Sequence, residues 1–146
     1  MTISQGPHPN TFYRVSLKAI IRNDKDEVLV VKEKGSYWSL PGGGLDHGES
    51  DVEALKRELK EEVDYDGDFS FSIAAVQTMF VENKNAWLMW IVYEVSNLSS
   101  TEFIPGVDAD EVAFIDPNEF KNSTKRSERL VYKYCVDPTI TIDSLT

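Results

Sequence analysis

The segment from Ser50 to Val63 constrains the fold more than any other part of the chain. Ser50 is placed to act as an N-cap, and Glu53, three residues later, completes a capping box. The apolar residues between them and the end of the segment recur at the spacing of one helical face: Val52, Leu55, Leu59 and Val63. The pattern predicts an amphipathic helix over residues 50–63 that must bury one face against another layer.

Apolar segments rich in Val, Ile and Leu flank this helix and predict strands. They are residues 12–22, 27–32, 37–40, 69–80, 86–95 and 111–115. The first two are joined by four turn-forming residues and are expected to form a hairpin. A second helix is predicted over residues 127–135. This order favours an α+β fold, in which a mixed sheet carries helices on its faces.

Length and charge limit the function. The chain has 146 residues, which suits one domain, and we expect residues 1–10 to be a loose arm before a domain of residues 11–146. Its formal charge of −10 and scattered basic residues argue against duplex nucleic acid and anionic membranes as partners. An acidic protein can still bind a phosphate compound if a divalent cation lies between the two negative groups.

The sequence favours a cytoplasmic location. Its start has no basic segment followed by an apolar one, as a secretory signal would have. The longest apolar run, residues 86–93, is too short to span a bilayer, which takes ~20 residues. Cys135 is the single cysteine, so no intramolecular disulfide can form.

Three glutamates of the predicted helix form an acidic group beside its apolar stripe. Glu58, Glu61 and Glu62 stand at positions i, i+3 and i+4, where like charges repel. A divalent cation such as Mg²⁺ would offset this repulsion, since it prefers carboxylate oxygens. A solvated acidic face explains the same spacing. The glycines at 42–44 and Glu49, which lead into the helix, favour a site.

The residues from Gly43 to Tyr65 read GGLDHGESDVEALKRELKEEVDY. They resemble the Nudix box, G-x5-E-x7-R-E-U-x-E-E-x-G-U, in which U is a bulky aliphatic residue. The matching positions are Gly43, Glu49, Arg57, Glu58, Leu59, Glu61 and Glu62. Residues 40–43 before the box and residues 19–23 resemble the MutT-like branch of the family.

Two positions depart from the family pattern. Asp64 stands where the family has its closing glycine, and Tyr65 stands where it has an aliphatic residue. The glycine follows the helix end, where a positive φ is often needed, and Asp tolerates that conformation better than most residues. We therefore expect a modest effect on stability, and the departure also leaves open a non-catalytic member.

The resemblance implies a three-layer α/β/α sandwich around a mixed sheet. It also implies hydrolysis, by water attack on phosphorus, of the pyrophosphate linkage of a nucleoside diphosphate joined to another moiety. The alternative is a non-catalytic Nudix domain that binds a nucleotide as a sensor or regulator. The partner in both cases is a small nucleotide compound, and the oligomeric state is open, with a homodimer compatible.

Family positions also imply roles for individual residues. Mg²⁺ or Mn²⁺ would be bound by carboxylates with help from the Gly43 carbonyl: Glu58, Glu61 and Glu62. Arg57 would orient these carboxylates, Glu49 would support the site from its edge, and Glu61 or Glu62 would accept a proton. Family members often have a further catalytic glutamate outside the box, for which Glu128 is the first candidate and Glu111 the second.

The substrate-binding candidates are one basic residue and a set of aromatic residues. Arg22 aligns with a MutT-branch arginine that contacts phosphate, although a strand-end surface role fits equally well. Trp38 and Phe80 are the chosen candidates for stacking on a base. Tyr37, Trp87 and Trp90 have the same chemistry, but aromatic residues in strands more often belong to the core.

Overall fold

A computed structural model describes residues 12–142 of the chain. The strands are β1 (Arg14–Ile21), β2 (Val28–Lys32), β3 (Trp38–Ser39), β4 (Gly42–Gly44), β5 (Ser70–Val81), β6 (Ala86–Ser96) and β7 (Glu111–Ile115). The helices are α1 (Asp51–Val63) and α2 (Arg126–Cys135), and short 3-10 turns cover Glu82–Lys84 and Pro117–Phe120. The arm expected at residues 1–10 lies outside the described residues. Within residues 12–142, neither helix is long and apolar enough to cross a membrane.

The strands form two sheets that make the middle layer. One has the order β4-β1-β6-β5, with β1 and β6 parallel, and the other has the order β3-β2-β7. Strand β2 shows why the layer needs cover on both sides. Val28 and Val30 pack into the core cluster under α2, whereas Leu29 and Val31 pack into the cluster under α1. The α+β class and the three-layer sandwich are thus confirmed.

The predicted hairpin of β1 and β2 is wrong. These strands lie in different sheets and share only the bridge between Arg22 and Val28. The reason is non-local: the first four residues of β2 are apolar and buried, so the strand takes a central place between β3 and β7. The glycine segment also belongs to a sheet, because Gly42–Gly44 pairs with β1 as strand β4.

Helix α1 begins and ends at the positions that its sequence indicates. The Ser50 hydroxyl accepts a hydrogen bond from the Glu53 amide at 3.2 Å, which confirms the N-cap. At the other end Asp64 has a φ of 53°, the left-handed conformation that the family's glycine would adopt without strain. Its carboxylate accepts a hydrogen bond from Lys60 at 2.6 Å. The substitution of glycine by aspartate therefore leaves the helix end in place.

A loop from a distant part of the chain completes the C-terminal end of α1. The Gly106 amide donates to the Glu62 carbonyl at 3.1 Å, and the Asp108 amide donates to the Glu61 carbonyl at 3.0 Å. These bonds satisfy carbonyls that a helix end leaves without partners. A Cβ atom on Gly106 would collide with the Glu61 carbonyl group. The loop therefore fixes the backbone that carries Glu61 and Glu62, two of the three box glutamates on the helix.

We expect Gly106→Ala to lower the free energy of unfolding by about 1–3 kcal/mol, because the added methyl group must push the loop away from α1. Urea unfolding followed by circular dichroism measures the change. Val107→Ala is the matched control, since the neighbouring Val107 side chain is 80% exposed. Equal stability of Gly106→Ala and the wild type would contradict this account of the helix end.

Candidate active site

The glycine strand β4 lies between β1 and the acidic side of α1. Gly42 has a φ of 135°, and a Cβ atom there would collide with the Leu17 carbonyl oxygen, so only glycine fits. A Cβ atom on Gly43 would lie 2.6 Å from Oε1 of Glu58. The absence of side chains on β4 therefore lets the Glu58 carboxylate reach the backbone of the strand.

Arg57 is the centre of the acidic group. Its Nε and Nη2 atoms bind the two carboxylate oxygens of Glu49 at 2.8 and 3.0 Å. Its Nη1 atom donates to Glu58 at 3.0 Å and to Glu61 at 3.3 Å. Nη2 also donates to the Gly44 carbonyl at 2.9 Å. One guanidinium group thus holds three carboxylates and the glycine strand in one arrangement.

The electrostatic environment differs strongly between these carboxylates. The hydrogen bond from Arg57 lowers the pKa of Glu49 to about 2. Burial raises the pKa of Glu58, even though Arg57 acts in the opposite direction. Burial also raises the pKa of Glu62 to about 9. Glu62 is only 2% exposed, and it accepts a hydrogen bond from the Gly42 amide at 2.6 Å.

Lys18 places a positive charge beside the buried glutamates. It projects from the middle of β1, is 9% exposed, and donates to the Gly42 carbonyl at 3.1 Å. Its charge lowers the pKa of both Glu58 and Glu62 and so works against their burial. The Nζ atom also lies 5.2 Å from the centre of the Trp90 ring. Lys18 therefore lies between the acidic group and the Trp90 ring, with which it makes a cation–π contact.

A cleft of about 1110 Å³ opens beside the glycine strand. Gly42, Gly43 and Gly44 form part of its lining, and Tyr37 and Trp90 are aromatic members. Among the described lining residues, the basic side chains outnumber the acidic ones, Glu33 and Glu82; they are Arg14, Lys18, Lys84 and Arg126. In a chain with a net charge of −10, this concentration of basic groups favours an anionic ligand.

The structure brings the predicted box residues together. Arg57 contacts Glu49, Glu58 and Glu61 directly, and Glu58 lies against Gly43. Glu62 lies one helical turn from Glu58, also buried, and faces Gly42. The arrangement is therefore compatible with the expected roles, which remain predictions.

The two candidate glutamates outside the box, Glu128 and Glu111, do not belong to the described lining of the cleft. Glu128 accepts hydrogen bonds from the Ser123 hydroxyl at 2.7 Å and from the Trp38 amide at 3.3 Å, so it connects the start of α2 to β3. Glu111 pairs with Lys32 at 3.3 Å. The geometry gives both residues structural contacts and no support for a catalytic role.

The predicted substrate-binding residues are also outside the described lining. Arg22 lies beyond the carboxyl end of β1 and pairs with Glu94 at 2.9 Å. The Trp38 ring lies 4.7 Å from the Lys32 ammonium group, and the Phe80 ring lies 5.6 Å from Trp87. Sequence reasoning missed Arg14, Lys18 and Glu33. Lys18 could have been noticed, because it is a charged residue inside an otherwise apolar predicted strand. No feature of the sequence distinguishes Arg14 or Glu33 from surface residues.

The donor set fits a hard divalent cation. Glu58 and Glu61 share the Nη1 atom of Arg57 and so lie side by side, and Glu58 lies next to the backbone of Gly43. Glu33 adds to the effect of burial in raising the pKa of Glu62, and a nearby cation would act in the opposite direction. Within residues 12–142, however, no three acidic, histidine or cysteine side chains already converge on a closed site. Water and substrate oxygens would complete the coordination, as is usual for Mg²⁺.

Comparisons with known proteins identify the family of the chain. A family model described as the NUDIX domain matches residues 12–134. The chain is similar to an RNA pyrophosphohydrolase of Ruthia magnifica, with 50% identity over 52 residues, 35% of this chain and 29% of that protein. It is also similar to a putative 8-oxo-dGTP diphosphatase of Bacillus subtilis, with 42% identity over 59 residues, 40% of each chain. The matched part is thus less than half of either relative's length.

Solved structures give the same fold over most of the chain. A MutT protein from Methanosarcina mazei superimposes with a TM-score of 0.70 and 18% identity, covering 90% of this chain and 99% of that one. A MutT hydrolase from Burkholderia pseudomallei gives a TM-score of 0.69 and 20% identity, covering 85% and 98%. At these identities the likeness concerns the fold.

We expect Glu62→Gln to stabilise the metal-free protein at neutral and alkaline pH. The folded-state pKa of about 9 lies above the ordinary value of 4.5, so the folded chain retains a proton that the unfolded chain loses. The contribution of Glu62 is therefore fully present below pH 4.5 and is lost as the pH rises to about 9, by at most about 1.4 kcal/mol per unit.

Thermal melts in EDTA between pH 5 and 9 measure this effect. The difference in Tm between Glu62→Gln and the wild type should widen as the pH rises. Glu53→Gln is the matched control, because Glu53 is exposed on the same helix. A Tm difference that stays constant with pH would show that Glu62 is not protonated in the folded protein.

Proposed function

Because the chain belongs to the Nudix family, we propose that it is a metal-dependent hydrolase of the pyrophosphate linkage in a nucleoside diphosphate joined to another moiety. The observation that carries the proposal is the Arg57 group, which holds Glu49, Glu58 and Glu61 beside a cleft with basic lining. The names of the relatives, an RNA pyrophosphohydrolase and an 8-oxo-dGTP diphosphatase, support the same chemistry.

Glu58, Glu61 and Glu62, with the Gly43 carbonyl, would bind Mg²⁺ or Mn²⁺. The bound cation would neutralise phosphate charge and make a water molecule more acidic. Arg57 orients Glu58 and Glu61 through charge-assisted hydrogen bonds. Glu49 fixes Arg57 from its other side with two hydrogen bonds. The protein thus prepares the carboxylates before any ligand arrives.

Glu61 is the better candidate for the general base. Its side chain is 34% exposed, whereas Glu62 is buried and bonded to the Gly42 amide. In the proposed reaction, a water oxygen forms a bond to phosphorus, Glu61 accepts the proton, and the bond from phosphorus to the bridging oxygen breaks. The leaving group is a phosphate or phosphorylated product. Basic residues of the cleft, Arg14 and Lys18 first, would bind the phosphate oxygens.

The proposed activity is tested by product analysis with Mg²⁺, with Mn²⁺ and in EDTA. The panel contains nucleoside triphosphates, an oxidised purine triphosphate, nucleotide sugars, dinucleoside polyphosphates and a 5′-triphosphorylated RNA oligonucleotide. We expect turnover only with a divalent cation. Glu61→Gln should lower kcat by at least about 100-fold, since it removes a general base.

Glu53→Gln, on the same helix but exposed, is the control and should retain wild-type turnover. Full activity of Glu61→Gln would contradict the assignment of the base. Tight nucleotide binding without turnover anywhere in the panel would favour the non-catalytic alternative.

We expect Lys18→Met to lower kcat/KM by roughly 10- to 100-fold, mainly through KM, because a hydrogen bond to a charged group contributes about 1.5–3 kcal/mol. Steady-state kinetics measure the change. Lys18→Arg keeps the charge and should retain most of the activity, and Lys56→Met removes an exposed charge elsewhere on α1. An unchanged KM in Lys18→Met would show that Lys18 stabilises the glutamates without touching substrate.

A further inference from the structure

Strand β5 forms an open edge of the larger sheet. It runs from Ser70 to Val81, and it pairs with β6 on one side. On its other side no strand of the described part of the chain lies next to it. At 12 residues it is about twice as long as a typical strand. Such an edge presents a row of backbone donors and acceptors that can pair with another chain.

The edge lacks the usual protection against pairing. Its sequence, SFSIAAVQTMFV, contains neither charged residues nor proline. With 27% charged residues in the chain, about three would be expected in a strand of this length. The one irregularity is a bulge between Ile73 and Ala75. Charged residues, proline and short length are the devices by which natural edge strands avoid association.

An apolar strip accompanies the open edge. Phe71, Ile73 and Val76 pair across to β6 residues on the face that α1 covers. They remain 39%, 62% and 55% exposed, because the core cluster under α1 contains residues of β1, β2 and β6 and none of β5. The strip therefore lies on the α1 side of the sheet but outside the core under the helix, and its side chains are exposed along the edge away from β6.

We propose that a second copy of this chain pairs with β5 across a two-fold axis, so that two four-stranded sheets become one sheet of eight strands. A two-fold axis brings the same surface of both copies together. Antiparallel pairing sets Ile73 and Val76 of each copy beside the strip of the other, at the ~4.5–5.5 Å spacing of cross-strand pairs.

The charge distribution favours a second copy of the chain as the partner of the β5 edge. Two chains of net charge −10 repel each other over most of their surfaces, but the uncharged strand β5 can approach its own copy without placing like charges together. A second copy also presents the same open edge and the same apolar strip. One interface would therefore pair the free backbone groups of the edge and bury the apolar strip. This interface does not depend on the proposed enzymatic function.

Sedimentation equilibrium of the full chain between 1 and 100 µM tests the proposal. The wild type should have twice the monomer mass of 16.5 kDa. The double variant Ile73→Lys, Val76→Lys should be monomeric, with a dissociation constant raised at least 100-fold, because it places like charges opposite each other at the interface. Both positions are exposed, so circular dichroism should show an unchanged fold.

The matched control is Ile104→Lys, Val107→Lys, which makes the same change at exposed apolar residues outside the strip and should remain dimeric. A monomeric wild type at 100 µM, or a dimeric Ile73→Lys, Val76→Lys variant, would overturn the proposal. Hydrogen exchange of the unmodified chain gives a second test. Amides of β5 should exchange more slowly as concentration rises, and exchange independent of concentration would overturn the proposal even if the variant failed to fold.

Discussion

The guanidinium group of Arg57 is the interaction on which the site depends. Carboxylates three and four residues apart on a helix repel each other, and burial strengthens the repulsion. Arg57 offsets it by binding Glu58 and Glu61 through one nitrogen, while Glu49 holds the opposite side of the guanidinium group. The same group bonds to the Gly44 carbonyl and so ties the acidic helix to the glycine strand. The carboxylates, the strand and the cleft consequently have fixed positions relative to one another.

Burial of Glu62 lowers the stability of the metal-free protein at neutral and alkaline pH. A carboxyl group with 2% exposure and a pKa of about 9 is held neutral in the metal-free protein at neutral pH. An amide in its place would make the same contact with Gly42 without the ionisation equilibrium. The glutamate is therefore a poor choice for stability alone, and its presence is explained if a cation favours the ionised form. Lys18 supplies part of that positive charge within the protein itself.

The sequence predicted those features that depend on local spacing. Helix α1, its cap at Ser50 and the acidic group follow from periodicity within 14 residues. Strand pairing was not predictable in the same way, because the choice between sheets depends on distant packing. The failed hairpin of β1 and β2 shows this, since β2 instead lies between β3 and β7.

The cleft was hidden from the sequence for the same reason. Arg14, Lys18, Trp90 and Arg126 come from three separate elements, and no local pattern connects them. The phosphate-binding role of Arg22 remains a prediction. Its position in a motif suggested phosphate binding, but β1 ends before it and leaves it paired with Glu94, away from the cleft lining. Similarity over a short motif located the acidic helix and not the lining of the cleft.

A crystal structure with Mn²⁺ and a non-hydrolysable nucleotide would test the central claim most directly, through the anomalous signal of the metal. The account predicts a manganese peak between the carboxylates of Glu58 and Glu61 and the phosphates of a nucleotide in the cleft. A nucleotide bound with no metal at these carboxylates, or a metal bound at another place, would contradict it.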